Sequence, residues 1–213
     1  MGSTQDVLLM KRELRKRMRE LLRQVSRNEL RERSAEACRL LTNSEVFRSA
    51  RTVAAFCHMP TSEVETTDLL AACFAEGKRV FLPRVDEGSV RKMLFLEAHG
   101  LQDVESWPLN AMGIREPPST WNGQVRREMR TLVERERKPL DLIVVPGLAF
   151  DTFGRRLGRG KGYYDTFLAT CEHLHLEMQL PPPRRVGLAL SCQLVTEVPV
   201  SAHDQVVEAV FYA

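Results

Sequence analysis

Residues 140–146, Leu-Asp-Leu-Ile-Val-Val-Pro, are apolar at every position except Asp141 and end at a proline. So short a run, with no alternating polar face, reads as a strand covered on both sides, the kind found inside parallel sheets. Parallel neighbours need long crossovers, usually helical, and the chain supplies them. Residues 52–59 are rich in β-formers and stop at Pro60, residues 66–76 carry a helical pattern with Asp68 in the first turn and Gly77 as its stop, and residues 78–83 form a second strand. A right-handed strand, helix, strand unit follows. Further strands are expected at 92–97, 186–190 and 206–212, and a helix at 163–171. Residues 107–118, punctuated by Pro and Gly, read as an irregular loop, and the polar stretch 124–138 as a solvated, helix-prone insertion.

Two amphipathic helices open the chain. Ser3 and Asp6 resemble a capping box, followed by Val7, Met10, Leu14, Met18, Leu21, Leu22 and Val25 at helical spacing. Ser26 and Glu29 repeat the signature, and Leu30, Ala37, Cys38 and Leu41 line a second helix to about residue 42. Neither keeps coiled-coil heptads, so both are expected to pack on the chain's own core. The expected architecture is α/β: a three-layer α/β/α arrangement with a mainly parallel central sheet and two N-terminal helices. The 213 residues, 43% hydrophobic and 28% charged, suit a single domain over 1–213 and exclude a disordered chain. No apolar run reaches the ~18 residues of a membrane helix. There is no secretory leader pattern, and Asp6 stands where a myristoylation signal needs Ser or Thr. A cytoplasmic, monomeric protein without a membrane partner is expected. The five cysteines (38, 57, 73, 171 and 192) are odd in number and lack any C-x-x-C pair, which reads as buried thiols.

Charge is uneven: residues 1–50 hold 12 Lys and Arg against 7 Asp and Glu. Such an excess can meet nucleic acid, an acidic surface or a small polyanion. Phe47 is the only aromatic residue in that stretch, so a base-stacking platform is missing and no nucleic-acid partner is expected. The chemistry concentrates in residues 154–165, GRRLGRGKGYYD, where Gly154, Gly158, Gly160 and Gly162 interleave with Arg155, Arg156, Arg159 and Lys161. Glycines let a backbone approach closely, the cations supply charge, and a helix N-terminus follows, which together suit a phosphate. The loop is neither a Walker A sequence nor a dinucleotide fingerprint, because Arg155, Gly162 and Tyr163 occupy positions those motifs reserve for other residues. With no hydroxyl ligand in the loop, an accompanying metal would need a carboxylate, and Asp165 is nearest. The plainer alternative is a flexible loop with solvated charges.

The run 141–168, DLIVVPGLAFDTFGRRLGRGKGYYDTFL, closely resembles the signature of the 5-formyltetrahydrofolate cyclo-ligase (5,10-methenyltetrahydrofolate synthetase) family. The likeness continues in Lys11 and Arg15, in residues 62–66, 81–84, 113–117 and 186–190, and in Val198-Pro199-Val200 leading to His203-Asp204. It departs in one extra residue before Glu63 and in Glu208, where many relatives carry Asp. The resemblance implies a fold of the NagB/RpiA/CoA-transferase type and ATP- and Mg2+-dependent conversion of 5-formyltetrahydrofolate, possibly polyglutamylated, to 5,10-methenyltetrahydrofolate with release of ADP and phosphate. It also implies roles. Arg159 and Lys161 hold the transferring phosphoryl, with Tyr163 beside it. Lys11, Arg15, Arg156, Leu157, Gly158, Gly160, Gly162, Tyr163 and Tyr164 join Arg159 and Lys161 around the nucleotide. Cys57 and Glu63 meet the folate, together with Arg159, Gly160, Lys161, Gly162 and Tyr163, and Asp165 and Asp204 hold the metal. Periodicity alone would leave Lys11 and Arg15 on a solvated basic helix. His58, His203 and Trp107 are read as supporting the structure. A non-catalytic folate or nucleotide module, a phosphate-backbone binder and a sugar-phosphate isomerase are the competing functions.

Overall fold

The computed structural model describes residues 4–85 and 93–213. Helices α1 (Thr4–Gln24), α2 (Arg27–Thr42) and α3 (Glu45–Ser49) precede β1 (Thr52–Ala54), α4 (Thr67–Ala75), β2 (Arg79–Val85), β3 (Met93–Ala98) and α5 (Leu101–Glu105). After the small hairpin β4 (Thr120–Trp121) and β5 (Gln124–Val125) come α6 (Met129–Glu134), β6 (Leu142–Val145) and the ribbon β7 (Ala149–Phe150) and β8 (Arg156–Leu157). Helix α7 (Tyr163–Glu177), β9 (Arg184–Ala189) and β10 (Ala209–Tyr212) complete the chain. Ser3 of the expected first cap and Lys92 of the expected third strand lie outside the described residues.

The main sheet has the order β10-β9-β6-β1-β2-β3. Its pairings are parallel except for β3, which returns antiparallel along β2 at one edge. Side-chain alternation divides the core into two layers. Val53, Val80, Leu82, Leu142 and Val144 pack under α1, α2 and α4, whereas Ala54, Phe81, Ile143 and Val145 pack against α6 and α7. The run that read as doubly covered is therefore β6, with all four residues at 0% exposure. Asp141, the one charge beside it, is explained by pairing: its Oδ2 accepts from Arg51 N at 2.8 Å, Thr52 N at 2.9 Å and Thr52 Oγ1 at 2.9 Å. It fixes the start of β1 against β6.

Several boundaries differ from the sequence reading. β1 stops at Ala54, and the chain then leaves the ladder while residues 55–57 stay buried. Residues 124–138 are not one helix: only Met129–Glu134 are helical, and β4 and β5 form a hairpin whose turn, Asn122-Gly123, has φ of 47° and 78°. Asn-Gly is the sequence signal of that turn. The stretch is not wholly solvated either, since Arg126 is buried, with its Nη1 donating to Asp103 Oδ2 at 2.7 Å. Helix α7 runs past Cys171 to Glu177. Buried His175 holds that extension, accepting from Leu140 N through Nε2 at 3.0 Å while Nδ1 donates to Cys171 O at 2.8 Å. All the cysteines are free, four buried and Cys192 half-buried. No helix among the described residues is long and apolar enough to cross a membrane.

Strand order fixes where a ligand can sit. From β1 the chain crosses to β2 on one side, whereas β6 leads to β9 and β10 on the other. Connections that diverge from adjacent parallel strands leave a crevice at their carboxyl ends. The segment after β1 carries Cys57 to Glu63, and the segment after β6 carries the glycine-cation loop.

Candidate active site

The loop after β6 is built on fixed points. Asp151 Oδ1 accepts from Phe153 N and Arg155 N, both at 3.0 Å, closing a tight turn. Gly154, at φ +74°, lies so close to the next segment that a Cβ there would stand 2.0 Å from Val207 O. Only glycine satisfies both the left-handed backbone and that approach. Leu157 is an anchor: its side chain is in the core and its carbonyl accepts from Leu148 N at 2.7 Å. Gly160, at φ +106°, and Gly162, at φ 73° and in the N-cap position of α7, turn the chain into the helix.

Arg156 is buried, and its Nη2 donates to Asp165 Oδ1 at 2.8 Å; the same oxygen accepts from Gln205 N at 3.2 Å. Its guanidinium lies 5.7 Å from the centroid of the Tyr164 ring, and its Nε has no hydrogen-bond partner among the described residues. Tyr164 is packed against the core, where burial holds its hydroxyl well above the usual tyrosine range and the Glu63 carboxylate adds to the effect. From α1, buried Lys11 donates to Ser201 Oγ at 2.9 Å and is ion-paired to Asp204. One turn later Arg15 Nε donates to Gly158 O at 2.9 Å, and the guanidinium covers Gly160. Burial, then repulsion from Arg19, lower the Arg15 pKa, while Asp204 and Asp165 pull it the other way. Of the seven basic residues of α1, Arg15 thus faces the loop and Lys11 the segment 201–204 beside it.

Across the crevice Glu63 is buried, its Oε2 accepting from Met59 N at 3.0 Å and its Oε1 standing 3.5 Å from Arg159 Nη2. Burial pushes the Glu63 carboxyl up, with Arg159 opposing it. Ser62 beside it has φ 62°, and its carbonyl faces Arg159 at 3.5 Å. Cys57 is buried, its thiol pushed up to about 12 by desolvation, so it is a neutral wall here. It borders a cleft of about 280 Å³ also lined by His58, Thr66, Leu70 and Arg115. Lys161 is exposed and makes no hydrogen bond or ion pair among the described residues, and Tyr163 is half-buried at the start of α7.

The fold therefore gathers Lys11, Arg15, Arg156, Asp165 and Asp204 around the loop, and Glu63 and Arg159 across its mouth. Glu208 is elsewhere, ion-paired to Arg184 and accepting from Arg185 N at 3.0 Å, so it takes no part in this group. Trp107 is buried, donating to Asp103 Oδ1 at 2.9 Å. His58 is held by Thr66 N at 3.1 Å, and His203 is exposed. Ser201 and Gln205 escaped the sequence reading, because a hydroxyl and a backbone amide in a loop carry no periodic signal.

A glycine- and cation-rich loop at the topological switch point of a mainly parallel sheet, with a buried carboxylate facing it, places this chain among α/β proteins with a ligand crevice at the carboxyl ends of the strands. Residues 8–213 match the profile of the 5-formyltetrahydrofolate cyclo-ligase family, and the chain belongs to that family, whose members are folate-binding ligases. It is 33% identical over 202 residues to the mouse 5-formyltetrahydrofolate cyclo-ligase, covering 95% of this chain and 93% of the relative. It is also 33% identical over 168 residues to that of Escherichia coli K12, covering 79% and 80%. The solved 5,10-methenyltetrahydrofolate synthetase of Aquifex aeolicus superposes with a TM-score of 0.69 at 29% identity, over 94% of this chain and 88% of that one. The synthetase of Mycoplasma pneumoniae gives 0.64 at 18% identity, over 95% and 98%, a likeness of fold.

Proposed function

We propose that this chain is an ATP-dependent 5-formyltetrahydrofolate cyclo-ligase, closing 5-formyltetrahydrofolate to 5,10-methenyltetrahydrofolate with formation of ADP and phosphate. The observation that carries the reading is the meeting of Arg159, from the phosphate loop, with buried Glu63, from the segment after β1. A group positioned by Glu63 lies within reach of whatever the loop holds.

The chemistry needs this juxtaposition. A formamide oxygen is a poor leaving group and its carbon a weak electrophile. Transfer of the γ-phosphoryl of ATP to the N5-formyl oxygen makes that oxygen part of a phosphate ester. Attack of N10 on the activated carbon, loss of the N10 proton and departure of phosphate leave the methenyl bridge. The chain's own part is positioning and charge neutralisation. Arg159 and Lys161 flank the transferring group, Arg15 and Lys11 bear on the polyphosphate from α1, and Glu63 accepts from the pterin. The cleft beside Cys57 accommodates the rest of the folate, with or without further glutamates. The residues also fit Mg2+: Asp165 and Asp204 are hard oxygen donors that act on the same Arg15, and a dication that keeps phosphate oxygens among its ligands needs only one or two protein carboxylates. When bound, the metal supplies positive charge along the phosphates.

The same reading carries a fold of the NagB/RpiA/CoA-transferase type, one catalytic unit over residues 1–213 acting as a monomer, and a cytoplasmic setting. Incubation of the purified chain with 5-formyltetrahydrofolate, Mg2+ and ATP should generate the near-ultraviolet absorbance of the methenyl product, with one ADP per turnover. Binding of folate and nucleotide without product would overturn the ligase in favour of a binding module.

A further inference from the structure

We propose that the cleft beside Cys57 is a recognition subsite for an N-acylated α-amino acid, the first glutamate of the folate, with Arg115 and His58 taking its α-carboxylate and Glu65 the adjoining amide N–H. The proposal deepens the cyclo-ligase reading and rests on it for the identity of the ligand. None of the three residues belongs to the glycine-cation loop or to α1.

The cleft is built by segments that fix one another. Gly113, at φ +74°, approaches the loop after β1 so closely that a Cβ would stand 2.9 Å from Pro60 Cγ. Leu109 and Arg115 pair as an antiparallel bridge, and Asn110 Oδ1 closes the turn between them, accepting from Met112 N at 2.9 Å and Ile114 N at 3.1 Å. Arg115 Nη1 donates to Trp107 O at 2.9 Å. The Trp107 indole is held by Asp103, which buried Arg126 clamps. Arg115, half-buried in the lining, makes no ion pair among the described residues, so its guanidinium is positioned without a counter-charge.

His58 lines the same cleft with a defined tautomer. Its Nδ1 accepts from Thr66 N at 3.1 Å, which needs that nitrogen unprotonated and puts the ring proton on Nε2. Burial lowers the His58 pKa, Glu65 raising it and Arg115 lowering it, so at neutral pH the ring offers one N–H. That N–H has no acceptor among the described residues. Two donors therefore await an anion. Half-buried Glu65, in the same lining, would repel a bare one. An N-acylated amino acid resolves the conflict, because the carbon that bears its carboxylate also bears a donor N–H: the carboxylate meets Arg115 and His58 in charge-assisted hydrogen bonds, and the N–H meets Glu65. Leu70, Leu101 and Leu109 form the apolar lining, which suits an aryl group on the acyl side of that amide. Arg27 and Glu105, the remaining charges of the lining, are exposed and opposite in sign, which leaves selectivity to the inner three.

Calorimetry on the whole chain tests this with three probes: 5-formyltetrahydrofolate, its glutamate α-carboxamide and its glutamate γ-carboxamide. The wild type should bind the α-amide at least ~10-fold more weakly than the acid and the γ-amide within about threefold of it. Arg115→Gln should weaken the acid about tenfold and the α-amide less than about twofold, so that the two become nearly equal. In His58→Asn the amide oxygen can replace Nδ1 as the acceptor for Thr66 N while the Nε2 donor is lost; the acid should weaken about threefold and the α-amide hardly at all. Glu65→Gln should act alike on all three probes, since each keeps the amide N–H. Thermal midpoints establish that the variants are folded, and if Arg115→Gln does not fold, His58→Asn decides. A merely structural Arg115 would weaken all three probes by one factor. That result overturns the proposal, as does a wild type that binds the α-amide as well as the acid or discriminates against the γ-amide instead. If no probe binds the wild type, the cyclo-ligase reading falls and the proposal with it; binding of the acid without the α-amide difference overturns the proposal alone.

Discussion

Arg156 and Lys161 are five residues apart in one cationic loop, yet their replacement by alanine should have separable effects. Lys161 is exposed and unpaired among the described residues, so Lys161→Ala should change stability by no more than about 0.5 kcal/mol. Arg156 is different: its removal strands Asp165 without its guanidinium partner at 2.8 Å. Losing one member of a fully buried pair costs about 3–5 kcal/mol. Because the Asp165 side chain keeps 24% exposure and still accepts from Gln205 N, about 2–3 kcal/mol is the better figure. For a chain of this length that corresponds to a fall of about 5–10 °C in Tm. Turnover should respond in the reverse proportion. A cation facing a transferring phosphoryl contributes mainly in the transition state, so Lys161→Ala should lose about 10²-fold in kcat, or ~2.7 kcal/mol, with an unchanged melting curve. The assays are thermal unfolding followed by circular dichroism and methenyl product formation at saturating substrates. A Lys161→Ala enzyme within threefold of wild-type kcat, or an Arg156→Ala protein with wild-type Tm, would refute this division of labour.

Three further outcomes follow from the geometry. Lys11→Gln combined with Arg15→Gln should raise the KM for ATP more than tenfold, whereas Arg12→Gln with Lys16→Gln, equal in charge but on the exposed side of α1, should change it less than about threefold; equal effects would assign the role to bulk charge. Burial lowers the pKa of His175, so below about pH 6.5 the unfolded chain binds more protons than the folded one, and the stability present above that pH is lost on acidification at up to ~1.4 kcal/mol per unit; His58 adds in the same sense, and a His175→Asn variant should flatten the acid limb measured by urea unfolding between pH 7 and 5. Gly154→Ala, with its Cβ directed at Val207 O, should lower Tm and turnover together, whereas Gly123→Ala, at a comparable φ but with open space around it, should lower Tm only slightly and leave turnover intact.

What could be read from the sequence follows a physical division. β6 announced itself because a strand covered on both faces must be apolar throughout, and the loop between β6 and α7 because glycines and cations alternate where a helix begins. The crossover from β1 to β2 was legible because the periodicity changes within a few residues. Lys11 was not: a lysine at helical spacing carries no mark of whether a distant carboxylate will bury it. The resemblance to a family, rather than periodicity, brought it into the site. The pairing of Arg126 with Asp103 was hidden for the same reason, and a segment that looked solvated proved partly interior. The short β4–β5 hairpin was available in Asn122-Gly123, but charged neighbours made the stretch resemble a helix. Charge pairing at long sequence separation is a property of the folded chain, whereas hydrophobic period is a property of the strand or helix alone.

The Lys11–Asp204 contact joins positions 193 residues apart. A chain emerging from the ribosome completes α1 and then holds it without that partner until residue 204 has emerged. The glycine-cation loop can meet Arg15 earlier, once residue 158 has emerged. The pocket is consequently assembled in a fixed temporal order, with the Lys11–Asp204 pair closing after the Arg15–Gly158 contact. A partly made chain in which α1 and the glycine-cation loop have already met has a crevice that is open on the side later occupied by residues 201–205. In such a chain Lys11 carries its charge without the carboxylate that later pairs with it.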